Sequence, residues 1–317
     1  MLTEILFALK TSDMYVSGEQ LSRQLNISRA AIWKHIHQLR RMGYDIVAVP
    51  HIGYRLLSSP DKLFPEEISF RLGTHYIGRR IIYYETITST MDEAFRIAIR
   101  GAEEGCVVCA DSQTSGRGRM GRRWSSPKDT GIYVSIILRP SLSLNAISWL
   151  TLLTAVAVSD AVKQVCNFYP MIKWPNDVLI NDRKLAGILT ELNAEADRVR
   201  FVIIGVGVNI NTPLSFLPKR STSLRHEIGK KISRVEFLQV FLRKLESWYD
   251  TLKKGEICSI AETWKQRSST LGRRIRIVDG GDIVKGTAVD LDEYGGLVIR
   301  SDSGLFVKKM SGDVAYV

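Results

Sequence analysis

Residues 199–208, VRFVIIGVGV, constrain the fold more than any other stretch. The run is nearly all Val and Ile around two glycines, and β-branched side chains favour extended backbone. With so little to show water, it predicts a strand buried on both faces, inside a sheet covered by helices. Gly205 and Gly207 lie two apart and share one face. Glycine weakens a strand interior unless a ligand or another backbone must come close, so one of the two is expected at that face.

Strands and helices alternate around this run. Residues 81–86, 106–110, 132–138, 171–173, 178–180 and 185–192 read as strands, with Asn181-Asp182-Arg183 as a turn. Residues 91–99, capped by Ser89, and the apolar 147–165 read as helices. A third helix opens on the capping pair Ser233 and Glu236 and runs to about Leu252. The class is α+β, a mixed sheet with helices, over residues 61–270.

At 317 residues the chain has room for about two or three domains. In residues 1–60, Leu2, Ile5, Leu6 and Leu9 recur at helical spacing. Ser17 with Gln20 forms a capping box for a second helix, Asn26 makes a tight turn, and Ser28 caps a third helix, SRAAIWKHIHQLRRM. Its inner face is Ile32, Ile36 and Leu39; Ala30, Trp33, Lys34, His37 and Arg41 look outward, after Ser28 and Arg29 at its start. Apolar runs at 46–49 and 54–57 flank a turn, so a hairpin follows. Three short helices and a hairpin make a winged helix-turn-helix, with Ser28, Arg29, Ala30, Trp33, Lys34, His37 and Arg41 as candidate DNA contacts. The alternative is a small helical interaction domain with a solvated basic face. His35 and His37, two apart on a helix, face different ways and make poor joint metal ligands. Ser58-Ser59-Pro60-Asp61 reads as a linker.

Residues 271–317 hold five short β runs separated by Gly280-Gly281, Gly295-Gly296, Ser303-Gly304 and Ser311-Gly312, which suggests a small barrel. It carries no recognisable chemistry, and its expected role is to brace the central domain.

The net charge is +11. Residues 1–60 carry +3 and residues 271–317 carry zero, so most of the excess lies in the middle and an acidic partner is expected. Cys106 and Cys109 form a C-x-x-C in a strand-like run, and no second Cys or His pair completes a zinc set. All four cysteines are read as reduced, mostly buried thiols. No basic-then-apolar signal region opens the chain and no apolar run approaches membrane-spanning length, so a cytoplasmic protein without a membrane partner is expected.

Residues 111–124, DSQTSGRGRMGRRW, hold three glycines, four arginines and a tryptophan, and almost nothing suited to a core. Glycine lets backbone N–H groups approach a ligand. Arginine offers a planar fork of donors to phosphate or carboxylate. The expectation is a mobile polyphosphate-binding loop that orders around an anion, with Trp124 as an aromatic wall. Gly116, Gly118 and Gly121 match G-x-G-x-x-G, but the following RRWSSPKDTG has no helical period, so the dinucleotide fingerprint fails. The P-loop fails too, since no Lys-Ser or Lys-Thr follows. Elsewhere, Ser89-Thr90 sits where strand turns to helix. Lys173-Trp174-Pro175-Asn176-Asp177 is a bend that gathers a lysine, an amide and a carboxylate. Lys184 lies on a strand just after a turn, followed by Gly187. Each of these, alone, is equally ordinary cap, turn or surface chemistry.

Taken in order, GRGRMGRRW, KWPND, KLAGIL and GVGVNI resemble the biotin–protein ligase family, and with SGEQLSRQLNISRAAIWKHIHQLR in front the whole chain resembles its bifunctional members, which are also biotin operon repressors. The resemblance implies a class II synthetase-like catalytic domain and a C-terminal SH3-like β-barrel. It implies activation of biotin by ATP, with Mg²⁺, to biotinyl-5′-AMP, then transfer to a lysine of the biotin carboxyl carrier protein of acetyl-CoA carboxylase and of other biotin-dependent carboxylases. It further implies an adenylate-bound homodimer on biotin operator DNA. By the same resemblance, Ser89, Thr90 and Gln113 bond the ureido ring, with Met91 standing where Asn is common. Gly116, Arg117, Gly118 and Arg119 close over the valeryl tail and phosphates, and Gly187, Gly205 and Gly207 form the floor. Lys184 meets the carboxylate and reacting phosphate, and Arg119 and Asp177 join it in the chemistry. Arg122, Trp124, Lys173, Asn176 and Asn209 belong to the nucleotide side, with Asn176 the one candidate near magnesium and no other protein ligand expected. Two other readings are an effector-binding regulator without turnover and a lipoate–protein ligase.

Overall fold

The computed structural model describes residues 1–195 and 198–317. The backbone separates into two compact units, Met1–Phe70 and Arg71–Val317.

In the first unit, α1 (Leu2–Lys10), α2 (Gly18–Leu25) and α3 (Arg29–Arg41) are followed by the antiparallel hairpin β1 (Asp45–Val49) and β2 (Gly53–Ser58). Their core gathers Ile5, Leu6, Leu9, Leu21, Ile32, Ile36 and Leu39, the helical stripes expected. Ser28 accepts from the Ala31 amide and caps α3. Ser17 caps α2 through the Glu19 amide rather than in the expected box with Gln20. Asn26 takes the left-handed conformation, φ 51°, between α2 and α3. Beyond the expected linker comes a short helix, α4 (Pro65–Ser69), that belongs to this unit. Lys10 Nζ donates to the buried Glu67 Oε2 at 2.5 Å, and Phe7 packs edge-on against Phe70.

The second unit is built on a seven-stranded sheet. Its elements are β3 (Ile81–Ile87), α5 (Thr90–Ile99), β4 (Val107–Gln113), β5 (Ile132–Leu138), α6 (Ser148–Cys166), β6 (Met171–Lys173), β7 (Asp177–Ile180), β8 (Arg183–Glu195), β9 (Arg198–Val208), α7 (Leu224–Ile228), α8 (Arg234–Lys253) and α9 (Ile257–Gln266). The strand order is β3-β4-β5-β9-β8-β7-β6; β3 and β4 run parallel, all other neighbours antiparallel. The apolar run in β9 lies near the middle, its residues 201–206 buried. On one face α5 packs with Met91, Ala94 and Ala98 against Val108, Ile137 and Ile203. Helix α6 packs against β6, β7 and β8, with α8 and α9 against it.

Helix α6 departs from one expectation. Its nineteen residues are long and apolar enough to cross a membrane, yet 67% of that window is buried inside the protein, as in a core helix. The cysteines depart from another: Cys106 and Cys109 are buried, Cys166 half-buried and Cys258 exposed.

The C-terminal runs form β10 (Arg274–Asp279), β11 (Asp282–Leu291), β12 (Leu297–Ser301), β13 (Phe306–Lys309) and β14 (Asp313–Tyr316), an antiparallel sheet ordered β13-β12-β11-β10-β14. It is tied to the central layers by indole donors. Trp149 Nε1 bonds Glu293 O at 3.1 Å and Trp174 Nε1 bonds Gly295 O at 3.2 Å.

Candidate active site

Strand register assembles the floor. Asp177 pairs with Gly187, and Gly187 with Gly207, so three strands place one carboxylate and two bare backbone positions in a row. A second row sets Gly205 beside Ser135 and Leu189. The glycines matter because of what lies on them. A Cβ on Gly207 would stand 2.3 Å from the Trp124 indole, and one on Gly205 would stand 2.5 Å from Met91 Sδ. Trp124 therefore lies flat over the floor, its indole N–H buried and without a partner among the described residues.

At one end, Gln113 Oε1 accepts from Thr90 N at 2.8 Å and Thr90 Oγ1 at 3.1 Å, and Gln113 Nε2 donates to Ser126 at 2.9 Å. Ser135 Oγ bonds Thr90 Oγ1 at 2.9 Å. This polar corner is pre-set by buried hydrogen bonds. At the other end, Lys184 Nζ lies 2.7 Å from Asp177 Oδ1, an ion pair without directed hydrogen-bond geometry, and 5.5 Å from the Trp124 ring centre.

Residues 111–124, expected as a mobile loop, fold into a small hairpin in this structure. Arg117 and Arg123 form a bridge, Trp124 N bonds Gly116 O at 2.8 Å, and Gly118 N bonds Arg122 O at 2.7 Å. Met120 and Gly121, at φ 54° and 71°, make the tip of this small hairpin. Three of its arginines are already engaged: Arg117 with Asp92 and Glu191, Arg119 with Asn176 Oδ1 at 2.9 Å, and Arg122 with Asp313. Nor is the whole stretch foreign to a core. Asp111 is fully buried, pairing with the buried Arg234 at 3.0 Å and accepting from Tyr83 Oη at 2.5 Å.

The cavity under this hairpin measures about 500 Å³. Of the sequence-derived candidates, Thr90, Met91, Gln113, Arg117, Gly118, Arg119, Arg122, Trp124, Lys173, Asn176, Asp177, Lys184, Gly187, Gly205, Gly207 and Asn209 line it. Two do not. Ser89 is buried as the cap of α5, and Gly116 is backed by Trp124 O, Ser126 and Gln113, where a Cβ would meet atoms at 2.6–2.9 Å. Burial lowers the Lys173 ammonium from its usual value; Asp177 opposes this, while Lys184, Arg122 and Arg220 add to it. Burial also lowers Arg119, with Asp177 opposing.

Two groups in the lining escaped the sequence reading. One is the segment 217–221, LPKRS, which carries Lys219 and Arg220. The other is Gly312-Asp313-Val314 of the C-terminal sheet, a piece expected only to brace. Arg119 Nη1 reaches Gly312 O at 3.5 Å, so that sheet takes part in the site. Neither group shows a motif; only the fold brings them there.

On the first unit, Ser28, Arg29, Ala30, Trp33, Lys34 and Arg41 are exposed along α3. Trp33, 55% exposed, lies with its ring centre 4.0 Å from that of the half-buried His37.

These elements define a class. Residues 83–209 match the family model "Biotin/lipoate A/B protein ligase family", residues 2–55 match "HTH domain" and residues 270–316 match "Biotin protein ligase C terminal domain". The chain is 40% identical over 295 residues to the bifunctional ligase/repressor BirA of Bacillus subtilis, covering 92% of this chain and 91% of that one. It is 29% identical to the protein of the same name from Escherichia coli, over 98% and 95% of the two chains. The biotin protein ligase of Aquifex aeolicus in complex with biotin and ATP superposes with a TM-score of 0.66 at 28% identity, over 75% of this chain and 99% of that one. The chain belongs to the biotin–protein ligase family, among the members that join the ligase to a helix-turn-helix domain.

Proposed function

We propose that this protein activates biotin with ATP to biotinyl-5′-AMP, passes the biotinyl group to a lysine of a biotin carboxyl carrier protein, and represses a biotin operon with the adenylate as corepressor. The observation that carries the reading is the cavity itself. A glycine floor under a tryptophan adjoins a polar corner suited to a urea-like ring, and a cluster of cations waits where a carboxylate must meet phosphates. The three modules, expected as residues 1–60, 61–270 and 271–317, are proposed with the first boundary moved to residue 70, where the compact unit ends: DNA binding before it, catalysis after it, and 271–317 as a β domain completing the site.

The roles follow from residue chemistry. Thr90 and Gln113 hold the ring, with Ser89 acting through the cap of α5 and Met91 offering a thioether and its backbone. Gly187, Gly205 and Gly207 keep the sheet bare where Trp124 and Met91 now rest, and the ligand lies there once the Trp124 ring moves aside. Bringing a carboxylate to a triphosphate sets like charges together, and Lys184, Arg117, Arg119, Arg122 and Lys173 offset that repulsion. Trp124 separates the two substrates and Asn209 anchors the segment beside the nucleotide. Gly116 and Gly118 shape the hairpin. In the second step a neutral amine must attack, and Asp177 orients it or accepts its proton. Among the described residues no three His, Cys, Asp or Glu side chains converge. A magnesium ion held by phosphates, with Asn176 and Asp177 at hand, fits that sparse donor set. When bound it supplies further neutralisation of phosphate charge. Ser28, Arg29, Ala30, Trp33, Lys34, His37 and Arg41 face operator DNA, and a homodimer of adenylate-bound chains presents two such helices in the cytoplasm.

The test is biotin-dependent exchange of pyrophosphate into ATP by the intact protein, with mass spectrometry of the purified protein for co-bound biotinyl-adenylate. Exchange with biotin and none with lipoate is expected. No exchange with either removes the enzymatic half, and exchange with lipoate alone replaces the substrate.

A further inference from the structure

The segment 217–221 borders the cavity beside Lys184, and its placement is fixed by Lys184 itself. Lys184 N donates to Arg220 O at 2.8 Å and Thr222 N donates to Lys184 O at 2.9 Å, a short parallel bridge around Ser221. The buried Asn209 clamps the far side, its Nδ2 donating to Thr222 O at 3.0 Å. Arg220 holds φ 62°, a left-handed conformation that a non-glycine residue keeps only where its surroundings dictate it.

Charge balance together with the tether to Lys184 singles these residues out. Arg117, Arg119, Arg122 and Lys184 each have an acidic or amide partner from the same chain. Lys219 and Arg220, like Arg123 of the hairpin, line the cavity exposed, with no ion pair among the described residues. Arg220 lies close enough to Lys173 to act on its charge. Lys173 Nζ itself sits 5.1 Å over the Tyr316 ring. Of these open cations, Lys219 and Arg220 are the ones whose segment is tethered to Lys184.

We propose that Arg220, with Lys219 beside it, contacts the β- and γ-phosphates of the nucleotide and holds the departing pyrophosphate. The inference rests on the adenylation reading given above. In that step a carboxylate oxygen bonds the α-phosphorus while the bond from α-phosphorus to the bridging oxygen breaks. The electron pair leaves on pyrophosphate and no proton need move. Charge grows on the leaving oxygens, and a guanidinium fixed there stabilises the transition state more than the ground state. The tether to Lys184 keeps the cation at the attacking end and the cation at the leaving end in register.

The experiment uses full-length protein and separates the two half-reactions. For Arg220→Gln, and for the double variant with Lys219→Gln, the pyrophosphate concentration for half-maximal exchange rises roughly tenfold or more, as expected for loss of a charge-assisted contact. Transfer of biotin from synthetic biotinyl-5′-AMP to the carrier domain stays within about twofold of wild type, since no pyrophosphate takes part. Arg220→Lys recovers part of the loss. An unchanged pyrophosphate dependence overturns the proposal. So does an equal loss in the transfer step, which makes the segment merely structural. Wild-type protein that fails to exchange at all sinks the underlying adenylation reading instead.

Discussion

The chain carries two basic surfaces, and they are built in opposite ways. On α3 of the first unit, Arg29, Lys34 and Arg41 are exposed and have no ion pair among the described residues. In the 111–124 hairpin, three of four arginines are bound to acceptors of the same chain, two of them to carboxylates. Bare cations on a helix suit a polyanion such as DNA, which brings many phosphates and releases many counterions. Compensated cations suit a small ligand that must exchange one partner for another, so binding is discriminating rather than merely attractive. The first surface gains from charge density and the second from geometry.

Removing a geometric cation should therefore do the most damage. Lys184→Ala is expected to slow adenylate formation by about 10²–10³-fold, the range seen when one pre-organised stabilising donor is removed. DNA binding by protein preloaded with synthetic adenylate should stay near wild type. Single-turnover adenylation and operator titration measure the two; equal losses would make Lys184 structural and erase the contrast.

Next in size comes the floor. Gly207→Val places a side chain where the Trp124 ring already lies, 2.3 Å from the new Cβ. Over-packing of this kind costs about 1–3 kcal/mol, and the displaced Trp124 ring is pushed into the space the ligand needs. Biotin affinity by calorimetry should fall by at least about tenfold on that scale, while the melting point falls only modestly. An unaffected affinity would mean that the ligand lies elsewhere.

Smaller still is the expected effect on the bare surface. Lys34→Ala should weaken operator binding almost uniformly across sequences and reduce the salt slope by about one. Removing residues 1–70, the whole compact unit, should abolish operator binding and leave ligation intact. A cut at residue 60 would strand α4 and leave the buried Glu67 without Lys10. A Lys34→Ala loss confined to one base position would show that this helix, too, reads geometry.

The same contrast explains what the sequence could and could not show. Ile32, Ile36 and Leu39 are legible because burial repeats with the helical period, and Gly205 and Gly207 because a glycine pair inside an apolar strand needs a reason. Lys219, Arg220 and Asp313 are not, since they reach the cavity through loop closure and sheet docking, which leave no period. Composition made the 111–124 stretch look floppy; its counter-charges come from Asp92, Glu191 and Asp313, distant in sequence. Asp111 looked like the start of that loop, but Arg234, far along the chain, turns it into core.

The gentlest way to sharpen the comparison is pH. Lys173 is a cavity cation whose charge is insecure, because burial and then the neighbouring Lys184, Arg122 and Arg220 hold its pKa below the ordinary 10.5, against the pull of Asp177. Below that lowered value Lys173 is charged in both folded and unfolded chains. Between it and 10.5 the unfolded chain binds more protons than the folded one, so this residue makes stability rise with pH across that window. Nucleotide binding should move the other way. As pH climbs through the lowered value Lys173 sheds its proton, and affinity for ATP should decline before ordinary lysines titrate. Lys173→Arg keeps the charge throughout and should remove that early alkaline decline at a small cost in neutral affinity. ATP affinity measured from neutral pH upward decides it: a decline that persists unchanged in Lys173→Arg would assign the titration to another group.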